Sequence, residues 1–277
     1  MAAPFLCLRC CSLPLPWGLV ERKTPMKNSS RRGDNPLQLI GFDGDDTLWK
    51  SEDYYRTAER DFEAIIGGYI DLGDQRMQKH LLEVERRNIK VFGYGVKGMT
   101  LSMIETAIEL TEARISAKDI AQILEIGHAT LRHPVEVMDG VREAVQAIAQ
   151  DHEVVLITKG DLFHQEAKIK QSGLADLFQR IEIVSEKDPQ TYARVLAEFD
   201  LPAERFVMVG NSLRSDIEPV LALGSWGIHT PYAVTWAHEQ EHGVDPNAPR
   251  LREVASAHQW PEALAELQAV AADTIRG

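Results

Sequence analysis

Leu37-Gln38-Leu39-Ile40-Gly41-Phe42 is followed at once by Asp43-Gly44-Asp45-Asp46-Thr47-Leu48. The first six residues read as a short buried strand, and Asp43, Asp45 and Asp46 crowd the turn that follows it. In open α/β sheets ligands bind at the carboxyl ends of the strands, so the placement of these acids matters as much as their number. Like charges about 4 Å apart cost on the order of 4 kcal/mol per contact at an effective dielectric of about 20. A divalent cation with oxygen ligands relieves that repulsion, and Mg²⁺ is the common one for phosphate chemistry. The competing reading is a solvated acidic turn that caps a helix. An EF-hand loop fails, because its sixth position would be Leu48 rather than Gly and its twelfth Tyr54 rather than Glu.

Short apolar runs rich in β-branched residues recur late in the chain, at 154–157, 181–184, 206–209 and 226–229. Amphipathic stretches such as 141–148 and 192–196 separate them. Strands alternating with helices predict an α/β fold, a doubly wound parallel sheet covered on both faces. The block 51–134 breaks that rhythm with helical periodicity throughout. Ala58, Phe62, Ile65 and Ile66 share one predicted face, Leu101, Ile104 and Ile108 a second, and Ile120, Ile123 and Leu124 a third. Gly67-Gly68, Gly93-Tyr94-Gly95 and Ser116 mark the breaks between helices. An ordinary strand-to-helix connection takes a few residues, so this block reads as an inserted all-helical subdomain. The predicted division is therefore a core of 37–50 and 135–277, a helical cap of 51–134, and a disordered extension of 1–36.

The 277 residues are 44% hydrophobic and 26% charged, ordinary globular usage. With 42 acidic against 30 basic residues the net charge is −12, which argues against a nucleic-acid-binding surface. No apolar run is long enough to span a membrane. Cys7, Cys10 and Cys11 are all N-terminal, so the body carries no disulfide framework and suits a reducing, cytoplasmic setting. The same three cysteines would make half of a zinc site, but no second pair lies nearby. Arg9, Pro14 and Pro16 interrupt the apolar run that would make 1–20 a signal peptide, and Met26 is an alternative start.

The stretch Asp43-Gly44-Asp45-Asp46-Thr47 resembles the first motif of the haloacid dehalogenase (HAD) superfamily of hydrolases, Asp-x-Asp-x-Thr after an apolar strand. Thr158, closing the run 154–157, is similar to the second motif, and Lys187 in Glu186-Lys187-Asp188-Pro189 to the third. Gly210-Asn211-Ser212-Leu213-Arg214-Ser215-Asp216 is similar to the fourth. Four motifs in order make the resemblance specific over about 37–277, and the insert lies where the family places its C1-type cap.

The resemblance implies phosphoryl transfer through an aspartyl-phosphate, with Asp43 as nucleophile and Asp45 as general acid and base. It implies Mg²⁺ held by Asp43, the backbone carbonyl of Asp45, and Asp216 or Asn211. Thr158 and Lys187 would bind phosphoryl oxygens, and Lys159 would add positive charge beside them. Haloacid dehalogenases expel halide and lack the second Asp, so Asp45 points to an oxygen leaving group, and hence to a phosphatase of small phosphomonoesters. Two positions depart from the pattern. Asp46 stands where the family most often has Gly, and Asn211 where the fourth motif often has Asp. An inactive HAD-fold binding protein is the alternative of a different class. The motifs name no substrate and no oligomeric state; sugar phosphates, nucleotides, phosphoglycolate and phosphorylated amino acids all fit.

Two further patterns compete. His238-Glu239-Gln240-Glu241-His242 matches the H-E-x-x-H of zinc peptidases, but Gly243 and Pro246 follow at once and no third ligand is apparent. Gly93-Tyr94-Gly95-Val96-Lys97-Gly98 matches G-x-G-x-x-G, yet helical stretches flank it where a dinucleotide site needs a strand before it. It reads better as a cap loop facing the core, with Tyr94, Lys97 or Met99 near the leaving group. Arg132 and His133 sit at the cap hinge, and Trp49 reads as packing between cap and body.

Overall fold

The structure, a computed structural model, describes residues 35–73, 76–234, 236–239 and 242–276. The cysteine cluster, and all but Asn35 and Pro36 of the predicted N-terminal extension, lie outside them. Among the described residues no helix is long and apolar enough to cross a membrane.

The core is a parallel sheet in the order β3-β2-β1-β4-β5-β6, built from β1 (Leu39–Phe42), β2 (Glu153–Lys159), β3 (Arg180–Val184), β4 (Phe206–Gly210), β5 (Trp226–His229) and β6 (Leu251–Glu253). β1 is central, pairing with β2 on one side and β4 on the other, with Phe42 opposite Leu156 and Val209. That register brings the ends of β1, β2 and β4 together at one edge of the sheet. The strand order reverses beside β1, which is where a doubly wound sheet opens a crevice. The β1 and β4 side chains are buried throughout, as expected for a sheet covered on both faces. β6 is missed by the sequence reading: Leu251-Arg252-Glu253 is short, charged and lies at the sheet edge, so it has no apolar run to announce it.

Four helices lie between β1 and the remaining strands: α1 (Glu52–Ile66), α2 (Arg76–Phe92), α3 (Val96–Leu110) and α4 (Ala117–Arg132). They enclose their own apolar cluster around Phe62, Ile66, Leu81, Met103 and Ile123. Ser116 starts α4 by accepting a hydrogen bond from the Asp119 N–H at 3.1 Å. Two predicted faces need correction. Leu101 and Ile108 on α3, and Leu124 on α4, are exposed, while Met99, Thr100, Ser102 and Met103 are buried. The cause is the close crossing of α3 and α4: a Cβ on Gly127 would fall 2.2 Å from Thr100 Oγ1. Small residues hold the contact face there, and the larger aliphatics are turned outward.

The remaining helices cover the sheet: α5 (Val141–Ala149), α6 (Leu162–Ser172), α7 (Pro189–Glu198), the short α8 (Glu218–Ala222) and α9 (Trp260–Arg276). Asp161 caps α6 by accepting from the His164 N–H at 3.0 Å, and Asp188 caps α7 by accepting from the Thr191 N–H at 2.7 Å. Two crossings join the helical insert to the core, and they run beside each other. The Lys50 N–H donates to the Glu136 carbonyl and the Met138 N–H to the Leu48 carbonyl, each at 3.0 Å. Tyr54 stacks on His133 at 3.6 Å between ring centroids, so His133 belongs to the hinge.

Candidate active site

Asp43 leaves the end of β1 and is 6% exposed. Its Oδ1 accepts a hydrogen bond from Lys187 Nζ, and the same ammonium lies 2.7 Å from Asp216 Oδ1. Lys187 comes from the loop between β3 and α7, and Asp216 from a π-helical turn, Leu213–Ile217, after β4. That turn aims Asp216 Oδ2 at the Ser212 N–H, 3.0 Å away. Burial raises the Asp43 carboxyl above the usual carboxylate range, and the Lys187 ammonium pulls it back. For Lys187 burial opposes the charged form, but Asp216 and Asp43 outweigh it and raise its pKa.

The second oxygen of Asp43 is the one that could hold a metal. Oδ2 faces the Thr47 hydroxyl at 3.3 Å. The Asn211 amide oxygen lies 3.2 Å from Asp43 Oδ2 and 3.1 Å from the Asp45 carbonyl, two acceptors. Turning the amide over would let its nitrogen donate to both. With a hard cation among them, the oxygen-inward orientation is the stable one. Octahedral Mg²⁺ binds oxygen at about 2.1 Å, which sets neighbouring ligand oxygens about 3 Å apart, close to both separations of the Asn211 oxygen. Asp216 stands apart from this set, because Lys187 and the Ser212 N–H occupy its oxygens. Among the described residues no group of three or more His, Cys, Asp or Glu is arranged to hold a metal. The candidate Mg²⁺ set is one carboxylate, one carbonyl and one amide.

Thr158, near the end of β2, is 1% exposed, and its hydroxyl has no hydrogen-bond partner. Nearly all buried polar groups are paired, so an orphan hydroxyl marks a place for a ligand. It shares with Asp43 and Lys187 the lining of a cavity of about 150 Å³ between core and cap. Lys159 also lines the cavity, but its ammonium is engaged. It lies 2.6 Å from Glu239 Oε1, 2.8 Å from Ser215 Oγ and 4.4 Å from the Tyr94 ring centroid.

Asp45 and Asp46 diverge. The Asp45 carboxylate accepts from Trp49 Nε1 at 2.7 Å, Gln165 Nε2 at 2.9 Å and Lys168 Nζ at 2.5 and 2.7 Å. Desolvation alone would raise its pKa; Lys168 and these hydrogen bonds reverse that and hold it below the usual range. Trp49 is thus both core packing and a donor to Asp45. Asp46 has φ +59°, the left-handed region that explains a family preference for Gly, and Asp tolerates it better than most residues. Its carboxylate accepts the N–H groups of Ser51 and Glu52 at the start of α1, so it caps that helix.

The H-E-x-x-H residues do not form a zinc site. His238 and Glu239 occupy a 3-10 turn, Ala237–Glu239; Gln240 and Glu241 lie outside the described residues. His238 faces Glu85 at 3.4 Å, while Glu239 binds Lys159 and accepts from the hydroxyls of Ser212 and Ser215. Burial would raise the Glu239 carboxyl, but Lys159 and those hydroxyls hold it down at about 2. The Gly93–Gly98 segment joins α2 to α3, two helices, which excludes the strand a dinucleotide site requires. It touches the core instead. The Tyr94 hydroxyl donates to Glu186 at 2.5 Å, and Lys97 Nζ meets both Asp161 oxygens at 2.9 and 3.0 Å. Gly95, at φ +110°, lies so close to Asp161 that a Cβ would sit 3.3 Å from its backbone.

Lys168, Gln165 and Glu239 escape the sequence reading. Gln165 and Lys168 are three residues apart on α6 and buried, and polar residues on an otherwise inward helix face were their only signal. Glu239 was concealed by the competing zinc pattern.

The family model for haloacid dehalogenase-like hydrolases matches residues 37–224. No curated protein matches the chain. A haloacid dehalogenase-like family hydrolase from Xanthomonas campestris is 72% identical, with a TM-score of 0.80, over 86% of this chain and 99% of that one. The fold is also similar to a 2-haloacid dehalogenase from Pseudomonas syringae (21% identity, TM-score 0.55, 83% of this chain and 98% of that one). It is similar again to YfnB from Bacillus subtilis bound to magnesium (16% identity, TM-score 0.55, 82% and 98%). With its motifs gathered at the ends of β1, β2 and β4 and in the β3–α7 loop, the chain belongs to the haloacid dehalogenase-like hydrolases.

Proposed function

We propose that this hydrolase is a Mg²⁺-dependent phosphatase that cleaves a small phosphomonoester through an aspartyl-phosphate on Asp43. The observation that carries this reading is the unpartnered, buried Thr158 hydroxyl, which opens onto the same cavity as Asp43 and Lys187. A phosphoryl group there accepts from Thr158 while Asp43 attacks phosphorus and the bond to the leaving alcohol breaks. Lys187 neutralises Asp43 and the incoming phosphate, and Asp216 holds Lys187 in place. Asp43 Oδ2, the Asp45 carbonyl and the Asn211 amide would hold Mg²⁺, which supplies further positive charge at the phosphate when bound. Lys159 adds charge at the rim, shared with Glu239.

Asp45 protonates the departing alcohol and later takes a proton from the hydrolytic water. Lys168 favours the ionised form, which the first task leaves behind and the second requires, so the acid step draws on the protonated minority of Asp45. That same ionisation favours a second reading, a dehalogenase, since a halide leaves without a proton. The cap, 51–134, would close over the core, 37–50 and 135–277, to exclude bulk water during attack. A body without cysteine is compatible with a cytoplasmic location.

The test is p-nitrophenyl phosphate hydrolysis with Mg²⁺, against chelator and Asp43→Asn controls. Phosphate release lost in both controls supports the phosphatase. Release of chloride from a 2-chloroalkanoate, unaffected by chelator, would replace it with the dehalogenase.

A further inference from the structure

The charges lining the cavity are unevenly matched. On the core side the carboxylates are met by lysine ammoniums, Asp43 and Asp216 by Lys187, Asp45 by Lys168 and Glu239 by Lys159, while Asp46 is taken up by the Ser51 and Glu52 N–H groups. At the lip, Lys97 of the cap meets Asp161. The cap wall differs. Glu52 and Glu59, with Tyr55 between them, present one face of α1, and Glu85 projects from α2. Glu52 and Glu59 share Arg56, at 3.2 and 3.1 Å, whose side chain is 40% exposed and outside the cavity lining. Glu85 faces His238. Burial accordingly pushes the Glu52 carboxyl up to about 8, with Arg56 only partly offsetting it.

A second feature calls for a donor from a ligand. Gln165 is 3% exposed, and its Nε2 is fixed by Asp45 Oδ2 at 2.9 Å and the Lys159 carbonyl at 2.8 Å. That fixes the amide orientation and leaves Gln165 Oε1 as a buried acceptor without a partner, on a residue that lines the same cavity. Two further groups lining the cavity lack a hydrogen-bond partner, Thr158 Oγ1 at the nucleophile and Glu52 Oε1 on the cap wall. Unfilled acceptors at Glu52 on the cap side and Gln165 on the core side of the cavity suit a ligand group that only donates. A hydroxyl both donates and accepts; an ammonium only donates, and it also brings the missing positive charge.

We propose that the alcohol leaving this site carries an ammonium group, held by Glu52, Glu59 and Glu85 opposite the phosphate end, so that the substrate is the phosphomonoester of a small amino alcohol. This rests on the phosphatase reading for its chemistry, but the ammonium site itself can be tested by binding. The pair of probes is 3-aminopropylphosphonate and butylphosphonate, non-hydrolysable and of equal chain length, titrated calorimetrically into the wild-type protein with Mg²⁺. The aminophosphonate should bind at least about tenfold more tightly, the gain expected of one charge-assisted hydrogen bond. Glu85→Gln should reduce that ratio toward one. Equal affinity, or no binding of either probe, overturns the proposal.

Phosphate release from aminoethyl phosphate, propyl phosphate and glycerol phosphate is followed in parallel. Release from all three without preference for the amine overturns the ammonium site and leaves the phosphatase standing. A persistent binding ratio with no release from any ester supports the ammonium site and removes the phosphatase.

Discussion

Lys168 Nζ lies 2.5 and 2.7 Å from the two oxygens of the Asp45 carboxylate. Asp45 keeps 28% of its side-chain area open, facing the cavity, while Lys168 is nearly covered. The residue expected to move protons is thus bound to a fixed positive charge on α6, and its basicity is set by that neighbour.

Replacing Lys168 with Met should therefore move the pH–rate profile to higher pH. Asp45 loses the charge that depresses its pKa, and both its acid and its base form then titrate later. An unpaired carboxylate should also cost about 1–3 kcal/mol of stability, less than a fully buried pair because Asp45 is partly open. Rates across the pH range decide it; an unmoved profile would exclude Asp45 from proton transfer.

Thr158→Val should separate function from stability. The hydroxyl has no partner in the fold, so removing it should leave the melting temperature unchanged or raise it, by up to about 1 kcal/mol in stability. Phosphate release should fall by about a hundredfold if the hydroxyl serves the transition state. Parallel loss of stability and activity would give Thr158 a structural role only.

Asn211→Asp places a second carboxylate beside Asp43 Oδ2 and the Asp45 carbonyl. Tighter Mg²⁺ binding should follow, with half-saturation falling by about tenfold, while the variant without Mg²⁺ becomes less stable through like-charge repulsion. Activity titrated against Mg²⁺, with melting curves in chelator, checks both directions. Asp216→Asn should instead loosen Lys187, since Asp216 binds that ammonium.

Glu239 links acid to stability. Its folded pKa of about 2 lies below its ordinary value of 4.5. A depressed carboxylate contributes fully above about pH 4.5, and the contribution disappears as pH falls toward 2. The upper limit is about 3 kcal/mol. Glu239→Gln should melt lower than wild type at neutral pH, and the two curves should converge in acid. A constant gap would show that the Lys159 pair does not govern the difference.

Gly95→Ala should impair the seating of the cap. At φ +110° an added Cβ is strained, and it would press on Asp161, the partner of Lys97. The expected outcome is a rise in KM or a fall in kcat/KM of about tenfold with little change in the melting of the core. Wild-type kinetics in this variant would mean that the loop does not need its present contact with Asp161.

The strands β1 to β5 along the chain could be read from local pattern, and the four motif positions from their resemblance to a family, while the order of the strands in the sheet could not. Apolar runs of β-branched residues announce buried strands, and a carboxylate or threonine just after such a run must lie at the strand's carboxyl end. β1 to β5, Asp43 and Thr158 follow from that logic, the helical insert follows from its helical periodicity, and Lys187 is legible through its resemblance to the third motif of the family. What tertiary structure decided was the assignment of partners. Asp216 is bound to Lys187 while Asn211 faces Asp43 and the Asp45 carbonyl; Lys159 is turned to Glu239; Lys168 governs Asp45. Those contacts join residues from 29 to more than 120 positions apart, and charge pairing depends on distances of a few ångströms that no periodicity encodes. The outward turn of Leu101 and Ile108 has the same origin, since the approach of Gly127 to Thr100 chose which face of α3 would be buried.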